Sequence, residues 1–529
     1  MRRWLRALSV LPAIAVGACS TQDSSGDPTN DGSSVDATDD VVVTPDVFDE
    51  ATPTDASDAS DVTGDIALDA PARTPGLRAE YYVGYMDLAL ERIEPTLDQD
   101  WKSAGAPSAK VGHDRFSARW TGFLVAPKTG RYQLAIDSDD GVRVWVDGKR
   151  VIDDWVGHFV KRDVATVDLV AGAPTAIRVE YFQLDLDASL RLSWSTAGLA
   201  EEVVPTKSLL AADAPSGMRG PKPPYTNPVI ASDCPDPGVI AVPSGGGTDY
   251  DLVCTGGSFP IRTSRGLVFW KDTGASILPS GKPSWAANGS RNWAPEIHHV
   301  GGEYVAYFTT VNGADVLSIG AAHSANVLGP YVDLGHALVE DPLGVIDATF
   351  FEDDDGSRWL FYKIDGNARG KPTPIFVRRL APDGLSFAAG STPVQVLVND
   401  PTTWEGGVIE APWVVKRGGY YYLFYSGNVY DYRYRTGVAR SKKIDATFEK
   451  HGAPLLINDA AWVGPGHGSV VTVNSMDYWV YHAWKNAGDG TNGAGRFVLI
   501  DAIAWAGGWP TIDGGTPSST PRPWPGETE

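Results

Sequence analysis

The sequence predicts an all-β protein, a five-bladed β-propeller preceded by a β-sandwich. Five similar strand phrases recur in the second half of the chain: YDLVCTGG from Tyr250, YVAYFTT from Tyr304, WLFYK from Trp359, YYYLFYSG from Tyr420 and YWVYHAW from Tyr478. Their starts lie 54, 55, 61 and 58 positions apart, a near-constant period that suits four-stranded blades with loops. In the first half, short alternating runs such as FSARWTGFLVA, TAIRVEYFQ and SLRLSWS are separated by Gly and Asp-Gly turns, the pattern of a sandwich.

At 529 residues, 43% of them hydrophobic, the chain is long enough for more than one domain. Its net charge of −22 argues against nucleic acid or an anionic membrane surface as partner, since both call for clustered cations. The 18 Trp divide between packing and flat platforms for sugar rings, and sequence does not apportion them.

In chain order, residues 1–18 read as a secretory signal: Arg2, Arg3 and Arg6, an apolar run, then small residues before Cys19. The ending VGAC resembles the lipobox of bacterial lipoproteins, which implies a lipid on Cys19 and a membrane anchor; an ordinary signal peptide cut near Ala18 is the alternative. No later stretch is apolar for long enough to span a bilayer. Residues 19–75 carry fourteen acids, one cation and almost no large apolar side chain, so they read as an extended, disordered tether.

Residues 76–198 are the expected sandwich. The phrase YQLAIDSDDGVRVWVDGKRVIDDW with the opening LRAEYY resembles the protective-antigen-type domain attached to many bacterial glycosidases and adhesins, which implies a carbohydrate-binding or structural accessory. Asp137, Asp139 and Asp140 crowd one turn there, either as a hard-cation site or as acids of a hairpin facing water. A Pro- and Gly-containing linker is expected over 199–224, the propeller over 225–515, and a Pro-rich tail over 516–529. Cys234 and Cys254 flank one apparent hairpin and are either a disulfide of an exported protein or free buried thiols.

Before each repeated phrase lies another short apolar strand opened by a polar residue: Asp236, Glu296, Asp347, Glu410 and His467. If these strands are innermost, the five polar residues converge on one end of the central channel. Four carboxylates gathered without a cation for each would drive some proton affinities upward, which suits acid/base catalysis or metal binding.

The phrases NPVIASDCPDPGVI, WAPEIH, IDATFFEDDDG, EGGVIEAPWVVKRGGYYYLFYSG and GRFVLIDAIAWAGGWP, in this order from Tyr225 to about Gly515, resemble glycoside hydrolase family 43. The resemblance implies Asp236 as general base, ahead of its neighbour Asp233, which lacks the following Pro. It implies Asp347 as the residue that tunes and positions the acid, and Glu410 as general acid, although EAP here replaces the family's EGP. Inversion needs the acid and the base on opposite faces of the sugar, about 6.5–9.5 Å apart. Trp293, Glu296 and Arg496 resemble residues that line the family's sugar site; Phe259 and Trp413 supply apolar walls or core packing; His467 in GPGHGS matches a position near a calcium ion in the channel or closes the fifth blade by hydrogen bonding.

The expectation is an exported, monomeric glycosidase inverting at arabinose- or xylose-containing plant polysaccharides, of arabinanase, α-L-arabinofuranosidase or β-xylosidase type. The alternative is a surface carbohydrate-binding or adhesion protein with an inactive propeller, against which the intact carboxylate trio stands.

Overall fold

The computed structural model describes residues 73–102, 105–245, 247–287 and 291–527. The signal segment, Cys19 and the tether up to residue 72 lie outside the described residues. Among the described residues no helix is long and apolar enough to cross a membrane. Strands dominate, and the helical turns are three 3₁₀ pieces at Thr206–Ser208, Asn367–Arg369 and Asp513–Gly515.

The first 140 or so described residues form two facing sheets. One runs in the order Asp87–Glu94, Leu77–Val83, Phe116–Val125, Pro174–Gln183, Val142–Val146, Lys149–Asp154; the other runs Leu199–Val203, Ser189–Thr196, Gly130–Asp139, Lys161–Leu169. Alternation along these strands sends Trp120, Tyr132, Tyr181 and Trp194 into a shared core, all fully buried. The sandwich outruns its expected end at Gly198: Leu199–Val203 completes the second sheet, and Leu209–Ala211 pairs with Phe116–Val125 in the first. The three acids of the DDG turn part company. Asp137 pairs with Arg162 at 2.9 Å, while Asp139 and Asp140 are buried and Asp140 accepts the amides of His158 and Leu184, so that pair does not face water.

Five four-stranded antiparallel sheets follow, each built from consecutive strands. The innermost strands are Gly238–Ser244, Trp293–Val300, Val345–Glu352, Ile409–Arg417 and Trp462–Val473; the repeated aromatic phrases form the second strand of every blade. Each innermost strand touches that of the next blade, and the fifth touches the first, which closes the ring. Tight hairpins join first and second strands. Gly301–Gly302, Gly418–Gly419 and Asn474–Ser475 all take positive φ at both central positions, the twist-matched turn that favours Gly and Asn.

No strand is exchanged to close the ring. Instead the segment before blade 1 lies along blade 5: Val229 donates its amide to Val498 O, and Asn227 both donates to Ile500 O and accepts its amide. The tail is equally engaged, since Arg522 bridges Tyr225 and Trp524 is buried among Tyr85, Trp155, Phe182 and Tyr225. That aromatic cluster docks the sandwich, the propeller's leading segment and the chain's last residues on one another.

Cys234 and Cys254 form a disulfide between the leading segment and the end of blade 1's second strand. Closing a loop of this length is worth about 3 kcal/mol through the unfolded state. Cys234→Ser is therefore expected to lower stability by about that amount in denaturant unfolding, and reductant should have the same effect on the wild type and none on the variant.

Candidate functional site

The channel mouth is organised by the backbone. At the channel mouth each innermost strand carries a residue in the left-handed region, just before the strand in blade 1 and within it in blades 2 to 5: Asp236 (φ 56°), Ala294 (44°), Asp347 (58°), Ala411 (59°) and His467 (41°). For residues with a Cβ this costs about 1–2 kcal/mol apiece, and in blades 2 to 5 the strand register shifts beside it, the mark of a bulge. The bulge takes that residue's N–H out of its own ladder, and a side chain catches it. Asp236 N–H donates to His482 Nδ1 (3.1 Å), Ala294 to Thr255 Oγ1 (2.7 Å), Asp347 to Thr309 Oγ1 (3.2 Å), Ala411 to Asp347 Oδ2 (2.9 Å) and His467 to Ser426 Oγ (2.9 Å). In every case the acceptor belongs to the preceding blade around the ring.

This register corrects the expectation of five equivalent polar positions. Asp236, Asp347 and His467 are equivalent, but their counterparts in blades 2 and 4 are Ala294 and Ala411. Glu410 stands one residue earlier, paired across from Ser426. Glu296 stands two residues later, buried and bonded to His298 at 2.7 Å.

Asp236, Asp347, Glu410 and His467 nevertheless meet in one cavity of about 220 Å³, open to solvent and lined further by Thr255, Trp293, Asp365, Asn367, Tyr430 and Arg496. The Asp236 carboxyl is enclosed by cations and donors. Thr255 Oγ1 donates to Oδ2 at 2.5 Å, and Arg496 Nη1 and His467 Nδ1 stand 3.4 and 3.3 Å from Oδ1. Burial alone would raise its proton affinity; His467 and Arg496 outweigh burial and hold the carboxyl well below the usual range. His482, fully buried, is pushed down to about 4, so it accepts the Asp236 amide as a neutral ring. The Arg496 guanidinium is itself steered by Tyr430 and Trp484, whose ring centroids lie 5.5 and 5.6 Å away, and by Asp233, which accepts the Arg496 amide at 2.7 Å.

The Glu410 carboxyl accepts from Tyr434 Oη at 2.8 Å on Oε1 and from Lys363 Nζ at 2.9 Å on Oε2. These donors overcome burial and hold it below its ordinary value. Asp347, also buried, has the Glu410 charge beside it and is pushed up to about 7. The resemblance implies that Asp347 tunes the acid; the structure adds Lys363, whose ammonium against Glu410 draws that carboxyl's proton affinity down. Two buried carboxyls this close titrate as a pair, so the proton that burial and mutual repulsion retain belongs to both. One cation serves each end of the cavity: Arg496, expected at the sugar site, stands beside Asp236, and Lys363, which the sequence did not single out, stands beside Glu410.

Other expected residues lie elsewhere. Phe259 is fully buried against Phe308 in the core between blades 1 and 2, where its apolar ring is cheapest. Trp413 sits two residues past the left-handed Ala411, packed against His298 (5.8 Å) rather than on the cavity wall. Trp293, Arg496 and His467 do line the cavity. For calcium, His467 Nδ1 is committed to Asp236, and the described residues hold no group of three or more His, Cys, Asp or Glu arranged around a common point. Thr255, Thr309, Lys363, Ser426 and His482 escaped the sequence reading, yet they share a signal: each is the polar residue at the end of the aromatic phrase of its blade.

The model of glycosyl hydrolases family 43 matches residues 225–510, and that of the PA14 domain matches residues 73–208. An anti-sigma-I factor of Acetivibrio thermocellus is 36% identical over 142 residues, 26% of this chain and 22% of its own length, so the chain spans about a fifth of that relative. An extracellular exo-α-(1→5)-L-arabinofuranosidase of Cellvibrio japonicus is 28% identical over 297 residues, 50% of this chain and 84% of the relative. A solved thermostable family-43 glycoside hydrolase is 28% identical with a TM-score of 0.51, covering 57% of this chain and 100% of that one.

If the caught amides hold the mouth in shape, Thr309→Val and Ser426→Ala each leave a buried donor unpaired, and each is expected to cost about 1–3 kcal/mol in denaturant unfolding. Stabilities within a few tenths of wild type for both would count against the ring.

Proposed function

The chain belongs to glycosyl hydrolases family 43, and from that premise we propose that it is an inverting glycosidase of arabinose-containing plant polysaccharides, with xylose-containing ones next in order. The observation that carries the reading is a single open cavity in which Asp236, surrounded by Thr255, His467 and Arg496, faces an adjacent Asp347–Glu410 pair from blades across the channel, with Lys363 as that pair's cation. Inverting hydrolysis asks for that asymmetry.

Asp236 accepts a proton from a water whose oxygen attacks the anomeric carbon. As the glycosidic C–O bond breaks, Glu410 passes its proton to the departing oxygen. For that step the pair's proton stands on Glu410 with Asp347 ionised, and Asp347 also anchors the Ala411 amide that follows the acid. Arg496 and Thr255 keep the base oriented; Trp293 and Tyr430 offer apolar faces to the sugar. Arabinose is placed first on the strength of the Cellvibrio relative's activity. The disulfide supports export, and anchoring through Cys19 belongs to the same proposal. His467 would be the residue nearest any calcium in the channel, and no step is routed through it.

The reading fixes a pH profile. Because the pair's last proton leaves near the value to which Asp347 is raised, kcat/KM is expected to fall as pH rises through about 7. The base stays ionised well below the usual carboxylate range, so the acid limb should lie below about pH 4. Glu410→Gln is expected to lower kcat/KM on arabino-oligosaccharides by about 10²–10⁴-fold. An NMR time course of the released sugar should show the inverted anomer first, and a retained anomer would reject the mechanism.

A further inference from the structure

Lys363 departs from the pattern of its ring. At the equivalent position of the other blades Thr255, Thr309, Ser426 and His482 each accept the amide of the left-handed residue on the next blade. In blade 3 that task passes to the Asp347 carboxyl. The Lys363 ammonium, fully buried, instead spans Glu410 Oε2 at 2.9 Å and Asp365 Oδ1 at 2.8 Å. A buried ammonium is tolerated only when it is paired this closely, so Lys363 fixes Asp365 at one ammonium's width from Glu410.

Asp365 and Asn367 both line the cavity, on a loop that has little freedom. Asp365 donates its amide to Gly344 O (2.8 Å), Gly366 O accepts from Arg369 and Lys371, and a Cβ on Gly366 would stand 2.5 Å from Pro372 O. In a ring of five, the junction of blades 3 and 4 lies across the axis from blade 1, hence across the cavity from Asp236. In an inversion the leaving group departs on the acid's side, away from the base.

We propose that Asp365 and Asn367 form the recognition wall for the leaving-group sugar, with Lys363 as the positioning residue that registers this wall to Glu410. The inference rests on the glycosidase reading of the site. With Oδ1 held by Lys363, Asp365 Oδ2 accepts a hydroxyl of the departing sugar, and the Asn367 amide offers both a donor and an acceptor to a second one. The polysaccharide end that leaves is therefore read by polar contacts, and a leaving group without hydroxyls is not read at all.

The test compares two substrates with one glycone, p-nitrophenyl α-L-arabinofuranoside and α-(1→5)-arabinotriose, in the full chain. For Asp365→Ala, Asp365→Asn and Asn367→Ala, kcat/KM on the triose should fall about tenfold or more, mainly through KM, as expected for a lost charge-assisted or amide hydrogen bond. The aryl glycoside should lose at least about fivefold less than the triose in each variant, since only the triose carries hydroxyls on its leaving group. Equal losses on both substrates, or none on the triose, would overturn the wall. Lys363→Met removes the Glu410 donor, so the alkaline limb on the aryl glycoside should move to higher pH, which a purely structural lysine would not cause; an unmoved limb in a folded variant overturns the positioning role. A wild type that cleaves neither substrate rejects the glycosidase reading separately. The wall is then judged by calorimetric binding of the triose, with about tenfold weaker binding by Asp365→Ala supporting it and equal binding overturning it.

Discussion

The channel mouth depends on one recurring constraint, a backbone amide turned out of its own sheet and caught by a side chain of the preceding blade. A left-handed residue at the head of an innermost strand is strained, and its N–H would be left buried without a partner. The Thr, Ser, His and Asp acceptors remove that penalty only if adjacent blades keep their spacing. The same bond therefore sets the side-chain direction of Asp236, Asp347 and His467 and ties each blade to the one before it.

That ring also shapes the electrostatics. Residues at the ring positions are also close polar neighbours of the cavity carboxyls: Thr255 donates to Asp236, His482 stands beside it, and Lys363, at the blade 3 position, faces Glu410. The base end is crowded with donors and cations, and the acid end has one ammonium for the three cavity carboxyls Asp347, Glu410 and Asp365, which favours keeping a proton there. Structural and chemical roles thus fall on the same side chains, and the blade 3 position, where a lysine replaces a hydroxyl, is where the two roles separate.

Much of this was legible in the chain. The aromatic phrases mark the second strands, the short apolar runs before them mark the innermost ones, and Asp236, Asp347, Glu410, Trp293, Arg496 and His467 all reach one cavity. What failed was register. Glu296 opens an apolar run just as Glu410 does, yet a bulge shifts it two residues beyond the mouth, and bulges leave no mark in a pattern of apolar and polar residues. For Phe259 and Trp413 the sequence left wall and core open, since an aromatic side chain suits either, and packing against Phe308 and His298 chose the interior. The sandwich ran past its expected boundary because Leu199–Val203 reads as readily as linker as it does as an edge strand.

Sequence alone determined the repeat, the order of domains and the presence of three carboxylates at strand heads, because strand periodicity and repeat length are local properties written residue by residue. Only the tertiary structure decided which charge faces which. Lys363 lies 47 positions before Glu410, and Arg496 lies 260 after Asp236. Proton affinities follow from distances between blades, and those distances exist only once the ring has closed.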